Sequence, residues 1–180
     1  MTMLALLIAI IAVLQFTPLG YLKLGPIEIT FLTIPVAIGA ITLGPAAGAI
    51  LGGVFGATSF IQCFGLSAFG VVLLDLNPVF AFLVCVPTRI LCGLLCGLIF
   101  RAMRKHGAGI SAYIVGALSC PLLNSVLYIS TLLALYSGYG ILAGLITLLL
   151  LVNVVVEAVA CTAIGAAVTR ALSHVIEKRQ

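Results

Sequence analysis

Four polar side chains stand out in an otherwise oily chain: Arg89, Asn124, Asn153 and Glu157. Each lies deep inside an apolar run, where a charge is costly enough to be a functional candidate by default. Arg89 offers a planar fork of donors matched to a carboxylate. The two asparagines supply donors and acceptors together. Asn153 and Glu157 are four residues apart, so on a helix they share one face. Drawn from three helices at similar depth, these residues could converge on one polar pocket for a molecule with a carboxylate and hydroxyl or amide groups. The alternative is an Arg89–Glu157 ion pair, with the asparagines bonding neighbouring helices, since intramembrane charges commonly pair with one another. The two arrangements are compatible if Glu157 holds Arg89 in place while Arg89 faces a ligand.

Other polar residues have plainer readings. Gln62, with Thr58 and Ser59, closes the third apolar stretch. Asp75 and Asn77 flank Pro78 and are expected to cap the helix that follows. Tyr128, Tyr136 and Tyr139 approach a membrane interface, as an aromatic belt or as the wall of a site's mouth. Cys85, Cys92, Cys96 and Cys161 lie in apolar runs, where a thiol acts as a small hydrophobe. His106 and His174 are remote from any cysteine or carboxylate cluster, so no metal site is expected. Catalytic machinery is absent as well. No G-x-x-x-x-G-K-[S/T] is present to cradle ATP, and Ser67 in Gly65-Leu-Ser-Ala is not a nucleophile elbow. Glu157 is the one carboxylate at depth, so no acid–base pair exists. An enzyme is therefore not expected, and neither is a cofactor.

The elements that must position these residues follow from composition. Of 180 residues, 64% are hydrophobic and only 7% charged, against about 25% charged in soluble domains. With a mean hydropathy of +1.41, a soluble globule, a disordered chain and a nucleic-acid binder are all excluded, and lipid is the solvent. A helix needs about 20 apolar residues to cross the hydrocarbon. Glycine, proline and charge divide residues 1–180, one membrane domain, into six such stretches: Leu4 to Pro18, Thr30 to Leu43, Pro45 to Gln62, Pro78 to Phe100, Ser111 to Tyr136 and Ile141 to Leu172. Pro35, Pro87 and Pro121 interrupt three of them, which neighbouring helices can accommodate. The start, lacking the basic lead of a signal peptide, reads as a retained span. Arg101, Arg104 and Lys105 follow the fourth stretch, and Arg170, Lys178 and Arg179 follow the sixth; only Lys23 falls in a loop on the other side. The positive-inside rule then places both termini in the cytoplasm. The fold class expected is all-α: a polytopic six-helix membrane protein, N-in and C-in. Its outer loops are Gly20 to Ile29, a lid or a plain connector, then Cys63 to Leu76 and Ser137 to Gly140.

Small residues mark close helix contacts. Gly44, Gly48, Gly52 and Gly56 repeat every fourth position, making one smooth face. Ala5 with Ala9, and Gly93 with Gly97, repeat the spacing. Such stripes serve packing within the bundle and can also receive a partner helix.

The run Ile29-Thr-Phe-Leu-Thr-Ile-Pro35-Val, followed by Leu43-Gly-Pro45-Ala-Ala-Gly48 and Gly52, resembles the substrate-binding S components of energy-coupling factor (ECF) vitamin transporters. Val86-Pro87-Thr-Arg89-Ile-Leu-Cys-Gly93, the Asn124 stretch and Ala5-x-x-x-Ala9 resemble them too. The likeness covers nearly the whole chain, although the N-terminus lacks the usual basic lead-in. The resemblance implies a six-helix bundle in the plasma membrane of a prokaryote that binds one vitamin near the outer face, under the loop after the first span. It also implies docking on a membrane coupling subunit that carries two cytoplasmic ATPases, with toppling of the bundle to carry the pocket inward. By the same resemblance Ala5 and Ala9 would face the coupling subunit, and the stripe with Gly48 and Gly52 suits sliding contact. Arg89, Asn124, Asn153, Glu157, Tyr128 and Gln62 are the expected substrate-binding set. A compact, hydroxylated, amide-containing carboxylate fits the arginine and asparagines best, which selects pantothenate. Folate is the alternative, while riboflavin has no carboxylate for Arg89. Readings from other classes are a stand-alone ion-coupled carrier using Glu157, although no inverted repeat is evident, and an assembly subunit without a ligand.

Overall fold

A computed structural model describes residues 2–17, 21–24, 27–107 and 109–136. Among them are six helices and one hairpin: α1 (Thr2–Phe16), β1 (Tyr21–Leu24), β2 (Ile27–Thr30), α2 (Thr33–Thr42), α3 (Pro45–Gln62), α4 (Ala68–Leu76), α5 (Pro78–Lys105) and α6 (Ile110–Tyr136). The expected sixth stretch, with Asn153 and Glu157, lies outside the described residues.

Local chemistry sets the boundaries. Gly44 takes φ +95°, a region open to glycine, and Pro45 follows at the first position of α3, where its missing N–H costs nothing. Asn77 caps α5: its Oδ1 accepts from Val79 N at 3.0 Å and Phe80 N at 3.3 Å, with Pro78 again opening the helix. Asp75 lies within α4 and does not share that role. Replacing Asn77 with Ala removes both acceptors and should cost about 1 kcal/mol. A thermal melt in detergent reads this as a lowered midpoint; an unchanged midpoint would show the cap to be idle.

Two expectations need correction. The stretch from Cys63 to Leu76 is not a plain loop. Ser67 Oγ accepts from Gly70 N at 3.2 Å and starts α4, a helix of nine residues that is too short to read as a span. The second stretch also forms a shorter helix than expected. Its helix, α2, has ten residues, about 15 Å at 1.5 Å per residue and half the hydrocarbon thickness. The residues before it pair as an antiparallel hairpin, Tyr21 opposite Thr30 and Leu24 opposite Ile27. Three described helices are long and apolar enough to cross a membrane, Pro45–Gln62, Pro78–Lys105 and Ser111–Tyr136.

The helices pack by close backbone approach. A Cβ built on Gly48 would collide with Gly93 O, one on Gly52 with Arg89 O, and one on Gly97 with Pro45. These contacts run α3 and α5 antiparallel, ridge on groove. The main core gathers Leu7 and Ile11 of α1, Val36 and Ala40 of α2, Leu51 and Phe55 of α3, and Cys92, Cys96 and Cys120 of α5 and α6. The thiols there do more than fill space. Cys92 Sγ donates to Cys120 O at 3.2 Å and Cys96 Sγ to Gly116 O at 3.3 Å, joining α5 to α6. Cys120 Sγ donates to Thr33 O at 3.5 Å, joining α6 to α2. Tyr136 is buried rather than belted at an interface, its hydroxyl donating to Leu73 O at 3.0 Å.

Candidate functional site

Arg89 stands roughly 16 Å along α5, a helix of about 42 Å. Gly52 lets α5 approach so closely that the Arg89 backbone rests on α3. One turn along α3 from Gly52 comes Phe55, whose ring centroid is 4.5 Å from the guanidinium carbon. Tyr128 of α6 offers a second ring at 5.4 Å. Side chains on a helix lean toward its N-terminus, and Arg89 does so: Nη1 donates to Cys85 O at 2.9 Å, one turn back.

This environment holds the cation without neutralising it. Each ring is worth about 0.5–2 kcal/mol by cation–π attraction, the upper end applying to desolvated sites. One carbonyl dipole adds a charge-assisted bond of about 1.5–3 kcal/mol. Among the described residues no carboxylate pairs with Arg89, and its buried Nε–H has no acceptor. A buried, unpaired donor on a charged group is expensive. A guanidinium whose buried Nε–H meets no acceptor among the described residues is chemically prepared for a planar acceptor that takes two N–H bonds, as a carboxylate does.

Asn124 lies one turn before Tyr128 on α6 and is partly buried. Its amide makes no hydrogen bond among the described residues. It sits on the same helix face as Tyr128 by the four-residue spacing, so it can meet the polar part of a ligand whose acid end lies on Arg89. Gln62 is placed differently. Its Nε2 donates to Gln15 O at 2.6 Å, while Gln15 Nε2 donates to Ser59 Oγ at 3.3 Å. These bonds latch the end of α1 to the last turns of α3, about 10 Å along α3 from Phe55. Gln62 is thus committed to a helix contact. Asn153 and Glu157 fall outside the described residues.

The expected docking residues separate into two groups. Ala5 and Ala9 are exposed on α1, beside exposed Leu6, Ile10 and Val13. Gly48 and Gly52 are buried beneath α5, so this stripe is filled within the chain and offers no open face. The spacing of small residues signals close approach but not which helix approaches.

Sequence reasoning missed Phe55 and Gln15. A phenylalanine in an apolar helix looks like any lipid-facing or core residue; the signal available was its position one turn from Gly52. Gln15 was more legible, as an amide in the last turn of an apolar stretch, and it is 1% exposed. No group of His, Cys, Asp or Glu able to hold a metal ion occurs among the described residues.

A family model described as ECF transporter, substrate-specific component, matches residues 1–173. No curated protein matches the chain.

Proposed function

Because this chain belongs to the family of ECF transporter substrate-specific components, a family of transport subunits and not enzymes, we propose that it is the high-affinity vitamin-binding subunit of an ATP-driven uptake transporter and that its cargo is pantothenate. The observation that carries this reading is Arg89, a mid-helix cation between aromatic rings with an unused buried N–H. Arg89 takes the carboxylate. Asn124 takes a hydroxyl or the amide, and Tyr128 closes over the apolar backbone of the ligand. Asn153 and Glu157 belong to the same binding set on the strength of the sequence alone.

The bundle crosses the plasma membrane of a prokaryote six times as one domain, with both termini inside. The half-length α2 makes the second crossing with the chain on either side of it, and the hairpin before it, whose two ends lie together, stays at the outer mouth. Docking on the coupling subunit uses the exposed face of α1 with Ala5 and Ala9, small residues that let a partner helix come close. ATP hydrolysis belongs to two cytoplasmic subunits, consistent with the missing phosphate-binding loop in this chain.

Calorimetry of the purified chain against a vitamin panel, without ATP, tests the reading. Tight binding of pantothenate alone is the expected result. Selective binding of folate would keep the function and replace the cargo. Binding of none would overturn the function.

A further inference from the structure

At the end of α3 a second chemical feature stands close to Arg89 and is independent of any cargo. Cys63 and Cys85 face one another with 4.0 Å between sulfurs. Both are buried and reduced. We propose that this pair is a reversible oxidation site, converted by hydrogen peroxide into a disulfide that staples the end of α3 to the turn of α5 that holds Arg89.

Placement distinguishes this pair from the other close thiols. Cys92 and Cys120 are 3.9 Å apart but lie in the middle of the main core, with Cys120 fully buried. Cys63 is the cap residue at the end of α3, and Phe64, Gly65 and Leu66 directly after it are exposed. A small uncharged peroxide can reach a helix end that opens locally. Closing 4.0 Å to the 2.03–2.05 Å of a disulfide needs movement, and both partners can supply it. Cys63 is where α3 ends, five residues before α4 begins, and the turn between the two helices runs through Gly65 at φ +123°. Cys85 lies two residues before Pro87, which lies inside α5. That proline has no N–H for the carbonyl four residues earlier, which leaves this turn of the helix pliable.

The chemistry balances with peroxide as the oxidant. The first thiol loses its proton and its sulfur attacks one peroxide oxygen, breaking the O–O bond. This gives a sulfenic acid and, with that proton, one water. The second thiol attacks the sulfenic sulfur, the S–S bond forms and a second water leaves. Two thiols are oxidised by two electrons and one peroxide is reduced to two waters. A dithiol reductant reverses the step by thiol–disulfide exchange. The cross-link reaches the ligand site through one atom, because the carbonyl of Cys85 is the acceptor that orients Arg89.

Peptic peptide mapping of the full chain in detergent, before and after hydrogen peroxide, tests the site without any vitamin. The expected result is a Cys63–Cys85 linked peptide, lighter by two hydrogens and restored by dithiothreitol. Amide exchange in the peptide containing Arg89 should slow severalfold in the oxidised form. Cys63→Ser and Cys85→Ser should show neither change, and the wild-type map stands alone if a variant fails to fold. The proposal is overturned if both thiols stay open to iodoacetamide after unfolding, if links form only between other cysteines, or if the linked protein exchanges at the unlinked rate. Because no cargo enters the measurement, failure here leaves the transport reading intact, and failure of pantothenate to bind leaves this site intact.

Discussion

Arg89→Ala is expected to weaken pantothenate binding by roughly 2–5 kcal/mol, the range for truncating one partner of a buried charge pair, which is about 30-fold or more at 1.4 kcal/mol per decade. The loss should come without loss of the fold. In the described structure the guanidinium is supported by one carbonyl and two rings, with Nε unsatisfied. Removing a charge so incompletely compensated is neutral or stabilising when the replacement is apolar. Arg89→Met should therefore melt at or above the wild-type temperature while binding no better than Arg89→Ala. An Arg89–Glu157 ion pair predicts the opposite: cutting one partner would leave a buried carboxylate and cost about 3–5 kcal/mol of stability. Melting and binding measured on the same two variants separate a ligand-facing cation from a structural one.

The second large effect concerns the ridge beneath that cation. Gly48→Val should destabilise the bundle by several kcal/mol, beyond the 1–3 kcal/mol usual for an overpacked core. The colliding group is the backbone of Gly93 and not a flexible side chain, and Ala40 Cβ blocks retreat at 2.8 Å. Between membrane helices no hydrophobic drive offsets a lost contact, so close approach carries the association. Gly53 provides the control on the same helix. A Cβ there would meet only the Ile90 side chain at 3.5 Å, an ordinary contact, so Gly53→Ala should be nearly neutral. Detergent-unfolding curves that move equally for Gly48→Val and Gly53→Ala would contradict the packing described. Gly52→Ala joins the two effects: its Cβ would press on Arg89 O, shifting the guanidinium from Phe55 and lowering affinity along with stability.

Much of this was legible in the residues. Pro45 and Asn77-Pro78 announce helix starts by a physical device that needs no tertiary context, and α3 and α5 begin there. Arg89 is conspicuous because charge in an oily run has no cheap explanation. Gly48 and Gly52 signalled close approach correctly, yet spacing is silent on whether the approaching backbone belongs to the same chain. The hairpin was also written locally: polar residues alternate with apolar ones through Lys23 and Glu28 around Gly25-Pro26, a period of two with a turn between. A search for spans passes over it because both arms are short. Helix α4 escaped for the same reason, although Ser67 is an ordinary cap. Phe55 gains its role only when α5 lies against α3, so its neighbour Arg89 is a tertiary fact that no local pattern contains.

The most direct test is calorimetry of the wild-type protein and Arg89→Ala with two ligands, pantothenate and the same molecule with its carboxylate reduced to the alcohol. If Arg89 receives the carboxylate, the wild type prefers the acid by about 30-fold or more, and Arg89→Ala binds both ligands alike. Equal binding of acid and alcohol by the wild type, or an acid preference that survives in Arg89→Ala, would contradict it.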